Sequence, residues 1–140
     1  YLGVFGPDDV AIASLDDLVG KTISVTRGAI EDIELSQVAP KGLTIKRFED
    51  NNSTIAAYLA GQVELIASGN VVMVAIAEKN PKRVPVMKLN LKDSPVYVGI
   101  NKGNAQLLAK VNEILATAKT DGSLDAISQK WLKQPLPADL

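Results

Sequence analysis

The chain has 140 residues, enough for one domain with a sizeable core, and its 46% apolar and 22% charged residues make a globular composition, neither disordered nor fibrous. Fifteen Lys and Arg against sixteen Asp and Glu leave a net charge of −1, so no basic excess draws in phosphate backbones and nucleic acid is not an expected partner. The absence of His and Cys removes imidazole base catalysis, a thiolate nucleophile, the usual zinc and haem ligands and disulfides, and no cofactor is expected.

In chain order, Tyr1 to Gly6 reads as a short strand ended by the turn formers Gly6-Pro7-Asp8-Asp9. Ser14 to Gly20 reads as a single helical turn, with Ser14 as N-cap and Asp17 three residues on as its capping-box partner. Lys21 to Thr26 alternates polar and apolar β-branched residues, a strand signal that stops at Arg27-Gly28, and Ala29 to Val38 is helical up to Pro40. The alternation repeats: a strand over Leu43 to Phe48, Asn52-Ser53 capping a helix over Thr54 to Ala60, and a strand over Gln62 to Ala67. The apolar run Val71 to Ala77 is far short of the roughly 20 residues of a membrane-spanning helix. It is read as a buried helix over Val71 to Lys79, closed by Asn80-Pro81.

Next come strands over Val84 to Leu89 and Val96 to Ile100, separated by the turn Lys92-Asp93-Ser94-Pro95. In the helix that follows Asn104, Leu107, Leu108, Val111, Ile114, Leu115 and Ala118 share one face, the spacing of a helix that covers a core. After Asp121-Gly122-Ser123, a last helix over Leu124 to Leu132 puts Leu124, Ile127, Trp131 and Leu132 on one side. Short strands alternating with helices imply right-handed βαβ units, hence an α/β fold on a mostly parallel twisted sheet of about five strands. The chain begins at Tyr1 with no signal-peptide pattern, which suggests a processed or partial segment.

An ordered series within this pattern is specific: Ser14-Leu15-Asp16-Asp17-Leu18 with Gly20-Lys21-Thr22, Arg27-Gly28, Leu59-Ala60-Gly61-Gln62-Val63-Glu64-Leu65, and Asp121-Gly122-Ser123-Leu124-Asp125-Ala126-Ile127 with Lys130-Trp131. It resembles the extracellular solute-binding proteins of the polar amino-acid ABC transporter type, over residues 14 to 133. The resemblance implies a type II periplasmic-binding-protein-like fold of two α/β lobes, with the ligand held in the cleft between them. On that pattern residues 1–96 correspond to the second lobe with its outgoing hinge strand. Residues 97–140 correspond to the return strand and carboxy-terminal helices of the first lobe, whose amino-terminal part the chain does not include. It implies a periplasmic or extracellular, membrane-associated location, a small polar ligand such as an amino acid, and a transporter permease as partner of the intact protein.

The family's ligand contacts fall on Arg27, Gly28, Ala29 and Ile30 and on Ser68, Gly69 and Asn70. A strand entering a helix through Arg27-Gly28-Ala29 leaves the first N–H groups of that helix unpaired at the positive end of its dipole, where they suit an anion such as a ligand carboxylate. Arg27 either adds charge-assisted bonds there or pairs on the surface with Glu31 or Asp32. Asn70 either touches ligand or caps its helix. Two positions depart from the family pattern: Ile30 replaces a hydroxyl residue, and Gly69 stands where amino-acid binders place an aspartate for the ligand's ammonium, so the ligand need not be an ordinary α-amino acid. Tyr58 and Trp131 are read as packing residues, Glu49 to Asn52 as a solvated turn, and Lys79, Lys82 and Arg83 as a wet helix end.

A transport receptor needs no chemistry. The rivals are an enzyme of the cyclohexadienyl dehydratase kind, which shares this architecture, and a ligand-sensing domain. Against the enzyme, Glu31 complements a helix dipole and Glu64 is read as inward or capping, so no general acid stands out. The apolar face of the long helix, left without the rest of the first lobe, is expected to pack back on the body or to form a homodimer, the second being favoured.

Overall fold

The computed structural model describes residues 1–137. They form two compact units, Tyr1–Pro95 and the segment from Val96 onward. The first contains β1 (Leu2–Gly6), a 3-10 turn (Leu15–Leu18), β2 (Thr22–Thr26), α1 (Ile30–Val38), β3 (Thr44–Phe48), α2 (Asn51–Leu59), β4 (Leu65–Gly69), α3 (Asn70–Lys79) and β5 (Val86–Lys92). The second contains α4 (Ala105–Thr120) and α5 (Ser123–Leu132).

The five strands make one sheet in the order β3-β2-β4-β1-β5. β2 pairs in parallel with β3 and β4, whereas β1 runs antiparallel to both β4 and β5. Four of the five strands therefore point one way, as the mostly parallel reading expects, and β1 alone lies reversed between two of them, which makes the sheet mixed. The reason is topological. β1 precedes the first βαβ unit and enters the sheet without a crossover helix, and only such crossovers enforce parallel neighbours.

Handedness explains which face each helix covers. The step from β2 through α1 to β3 crosses the sheet in one direction, and the step from β3 through α2 to β4 returns in the other. With the same right-handed turn, the two helices must lie on opposite faces. The side chains agree: Leu35 of α1 joins Val4, Ile23, Val25, Leu65 and Ala67 in one core, while Tyr58 of α2 and Met73 and Ile76 of α3 join Phe5 and Ile66 in the other. Successive residues of β1 and β4 alternate between these cores, as the two-residue pleat demands. Strands covered on both faces must be apolar throughout, which is why Leu65 to Ala67 shows no polar alternation. Gly3 permits the close pairing of β1 with β5, since a Cβ there would sit 2.7 Å from the Leu89 carbonyl oxygen.

Several boundaries shift from the sequence reading. The cap at Ser14 forms as expected, with the Asp17 carboxylate accepting the Ala13 and Ser14 N–H groups at 2.9 and 2.8 Å. Asp50, rather than Asn52-Ser53, caps α2 by accepting the Ser53 N–H at 2.8 Å. β4 starts at Leu65, and Glu64 instead accepts from Lys21 Nζ and the Thr22 N–H at 3.0 and 3.1 Å, tying the approach to β4 to the start of β2. Residues 96–100 form no strand; a strand exists only through its ladder, and among the described residues none pairs with this stretch.

Candidate functional site

β2, β3 and β4 all end at the same edge of the sheet, and each runs into a helix whose N-terminus lies at that edge: Ile30 of α1, Asn51 of α2 and Asn70 of α3. Loops and helix dipoles converge at the carboxyl edge of parallel strands, which is why open α/β sheets bind ligands there. Arg27 to Ile30 follow β2, and Ser68 to Asn70 end the neighbouring β4 and open α3, so the fold brings both groups of sequence-singled residues to this one edge.

In the β2–α1 turn, Gly28 has a φ of +70°, in the left-handed region that glycine adopts without steric cost. Its N–H donates to Asp32 Oδ2 at 3.0 Å, so the chain's own carboxylate takes this donor. Ala29 is the N-cap and has no side chain with which to cap; its own N–H donates to the Thr26 carbonyl at 3.1 Å. Ile30 is 54% exposed and presents an apolar surface at the first turn of α1. Arg27 pairs neither with Glu31 nor with Asp32: its Nε donates to Glu49 at 2.9 Å in an exposed ion pair, a kind that contributes little.

The acidic partner of the turn is paired from elsewhere. Arg47 of β3 donates through Nε to Asp32 Oδ1 and Oδ2 at 2.8 and 3.0 Å, and its second guanidinium nitrogen donates to Ser36 Oγ at 2.8 Å. Ser36 Oγ donates in turn to Asp32 Oδ1 at 3.2 Å. Burial raises the Asp32 pKa, but the Gly28 N–H, the Arg47 charge and the Ser36 hydroxyl outweigh it and hold the carboxyl below its usual range. The sequence reading, which offered Asp32 as a surface partner of Arg27, missed this network. Its position three residues after the N-cap was the available signal, since a capping box places an acid there. Arg47 gave none, because only the parallel register of β3 with β2 brings it beside α1.

On the β4 side, Ser68 is buried and Gly69, not Asn70, is the N-cap of α3. Asn70 is buried and faces β1: its N–H donates to the Tyr1 carbonyl at 3.1 Å and its Oδ1 accepts from the Tyr1 amine at 3.3 Å. A Cβ on Gly69 would meet only Leu2 Cδ2 at 3.8 Å, ordinary contact, so space does not forbid an acidic side chain at this position. Beside the edge, Thr26 Oγ1 lies 2.6 Å from Asn51 Oδ1 and 2.9 Å from Thr54 Oγ1, joining the end of β2 to the start of α2. With Glu49 on Arg27 and Asp50 on Ser53, the Glu49 to Asn52 turn uses its carboxylates internally.

Of the other residues considered from sequence, Tyr58 is fully buried, as a packing residue should be. Trp131 is 65% exposed and packs no core, since α5 buries only Ser128. Arg83 does not sit in a wet helix end: its guanidinium lies 4.7 Å from the centre of the Tyr58 ring and donates to the Val63 carbonyl at 3.0 Å. In the second unit, Val98, Ile100, Lys102 and Leu108 line an open surface depression of about 430 Å³ in which no polar side chain is buried.

Comparison with known proteins agrees with this architecture. The chain is 25% identical over 124 residues to the ABC transporter glutamine-binding protein GlnH of Bacillus subtilis (strain 168), covering 88% of the chain and 45% of that protein. It is 27% identical over 120 residues to the L-cystine-binding protein TcyJ of Escherichia coli (strain K12), covering 86% of the chain and 45% of that protein. The chain thus spans about half the length of these relatives. An ancestral arginine-binding protein solved with glutamine bound superposes with a TM-score of 0.65 at 28% identity, over 95% of the chain and 60% of that structure. The model of the bacterial extracellular solute-binding proteins, family 3, matches residues 17–134, and the chain belongs to that family.

Proposed function

We propose that the chain supplies the second ligand-binding lobe, residues 1–96, and the return segment, residues 97–140, of the solute-binding component of an ABC transporter. It takes a small polar solute, an amino acid or a related compound, and hands it to a membrane permease from the periplasmic or extracellular side. The observation that carries this reading is the convergence of the α1 and α3 N-termini at one sheet edge in a chain whose family binds extracellular solutes. Arg27 to Ile30 and Ser68 to Asn70 form this lobe's half of the site. The relatives named for glutamine and cystine make amino acids the first ligands to test.

The edge favours binding over catalysis. Asp32, Glu49 and Asp50 are engaged by Arg47, Arg27 and Ser53 respectively, whereas a general acid must face a reacting group with its proton free to transfer. The apolar face of α4 is exposed, and pairing with a second copy of the chain is the covering this reading favours.

A chemical-shift titration of the labelled chain with L-glutamine, L-arginine and L-cystine tests the site. Amide shifts confined to residues 27–31 and 68–70, at millimolar ligand, are expected, because one lobe alone lacks the contacts of a closed cleft. Shifts confined to the segment from Val96 onward, or micromolar affinity for the isolated chain, would refute the assignment.

A further inference from the structure

Ala29 gives α1 an N-cap without a side-chain acceptor, and Gly28 before it stands in the left-handed region. A turn so built has no local lock, since an alanine cap is among the weakest and glycine restricts the backbone least. The lock comes from Asp32, a 7% exposed residue held from three directions: by the Gly28 N–H, by Arg47 from the adjacent strand and by Ser36 one helical turn on. Arg47 neutralises the charge, so the carboxylate that shapes the turn adds little repulsion toward an incoming anion. Two N–H groups at this helix start, those of Ile30 and Glu31, have no acceptor among the described residues, whereas those of Gly28 and Ala29 are already used.

We propose that Asp32 is a positioning residue of the ligand-binding edge: by holding the Gly28 N–H it sets the turn that leaves the Ile30 and Glu31 N–H groups to the ligand. The proposal rests on the reading of this edge as the ligand site. It gives the partly exposed Asp32–Arg47 pair a purpose beyond anchoring α1.

The test is the same titration, with L-glutamine, L-arginine and L-cystine as probes, on the wild type and on D32A, D32N, S36A and R47Q. For the probe that moves the Ile30 and Glu31 amides, D32A is expected to weaken binding at least tenfold and to speed hydrogen exchange at the Gly28 amide. D32N, whose amide oxygen can still accept the Gly28 N–H, should bring the affinity back to within threefold of wild type. S36A removes a partner of Asp32 without touching Gly28, and should bind within twofold of wild type even where its melting temperature falls. Should D32A not fold, R47Q carries the test, with a three- to tenfold loss expected.

Equal binding by the wild type and folded D32A overturns the proposal and leaves the site intact. Affinity that follows melting temperature across the four variants, with D32N no better than D32A, overturns it too, because the role is then structural. A wild type in which no probe moves the Ile30 or Glu31 amide defeats the reading of the edge itself.

Discussion

Leu65 and Ile66 of β4 are wholly buried, whereas Leu107 and Leu108 of α4 are 48% and 49% exposed. Every buried hydrophobic side chain among the described residues belongs to the unit Tyr1–Pro95, and α4 buries none of its residues although its apolar face runs along about three turns. Both regions have the composition of core elements. What separates them is that β4 has a strand on either side and a helix on each face, whereas α4 and α5 are two helices, and two helices cannot enclose a core. The amphipathic pattern of α4 therefore records a partner surface, and burial has to be supplied from outside the helix.

The sharpest way to break this comparison is to truncate one residue in each region. Leu65→Ala should destabilise the chain by about 2–5 kcal/mol in urea unfolding, the range for a wholly buried leucine, while Leu115→Ala in α4 should cost less than about 1 kcal/mol. Equal losses would mean that α4 is packed as tightly as the sheet.

The exposed face should next declare itself in association. Light scattering is expected to show a species of twice the chain mass at high concentration, and Ile114→Glu should return it to the monomer. A wild type that stays monomeric throughout would mean that α4 is tolerated in water unpaired.

Charge networks distinguish the regions as well. Asp32→Asn in the first unit should cost about 1–3 kcal/mol, because Arg47 loses its ionic partner while the amide oxygen still accepts the Gly28 N–H. Because the Asp32 carboxyl titrates below its usual value in the folded chain, its contribution is fully present above the unfolded pKa of about 3.9 and is lost as the pH falls through the lower, folded value. The gap between wild type and D32N, followed by denaturation from pH 7 to pH 2, should therefore hold down to about pH 5 and close below it. In the second unit, Glu113→Gln removes an exposed pair with Lys110 and should change stability by less than about 0.5 kcal/mol.

At the site, Gly69→Asp should fold normally, given the open space at its Cβ and its extended φ of −77°. It should strengthen binding of α-amino acids about tenfold, roughly 1.4 kcal/mol, through the added ammonium partner. No gain in the same chemical-shift titration would show that the lack of a carboxylate there does not govern ligand choice.

Much of the fold was legible from local pattern. The strands β1 to β3, the helices α1, α3, α4 and α5 and the capping box at Ser14 each follow from periodicity and caps that act within a few residues. The edge carrying Arg27 to Ile30 and Ser68 to Asn70 was legible too, because a strand that runs into a helix declares its carboxyl end. The reversed direction of β1, the absence of a strand at residues 96–100, the pairing of Arg27 with Glu49 and the Arg47–Asp32–Gly28 network were not.

By itself, then, the sequence determined which segments are helix or strand, which faces are apolar and which residues reach the carboxyl edge, since these depend on propensities and spacings inside one element. Only the tertiary structure decided strand order, which ion pairs form and which apolar faces are covered. Each of these depends on a neighbour distant in sequence, and a side chain's burial or pKa is set by what the fold puts beside it.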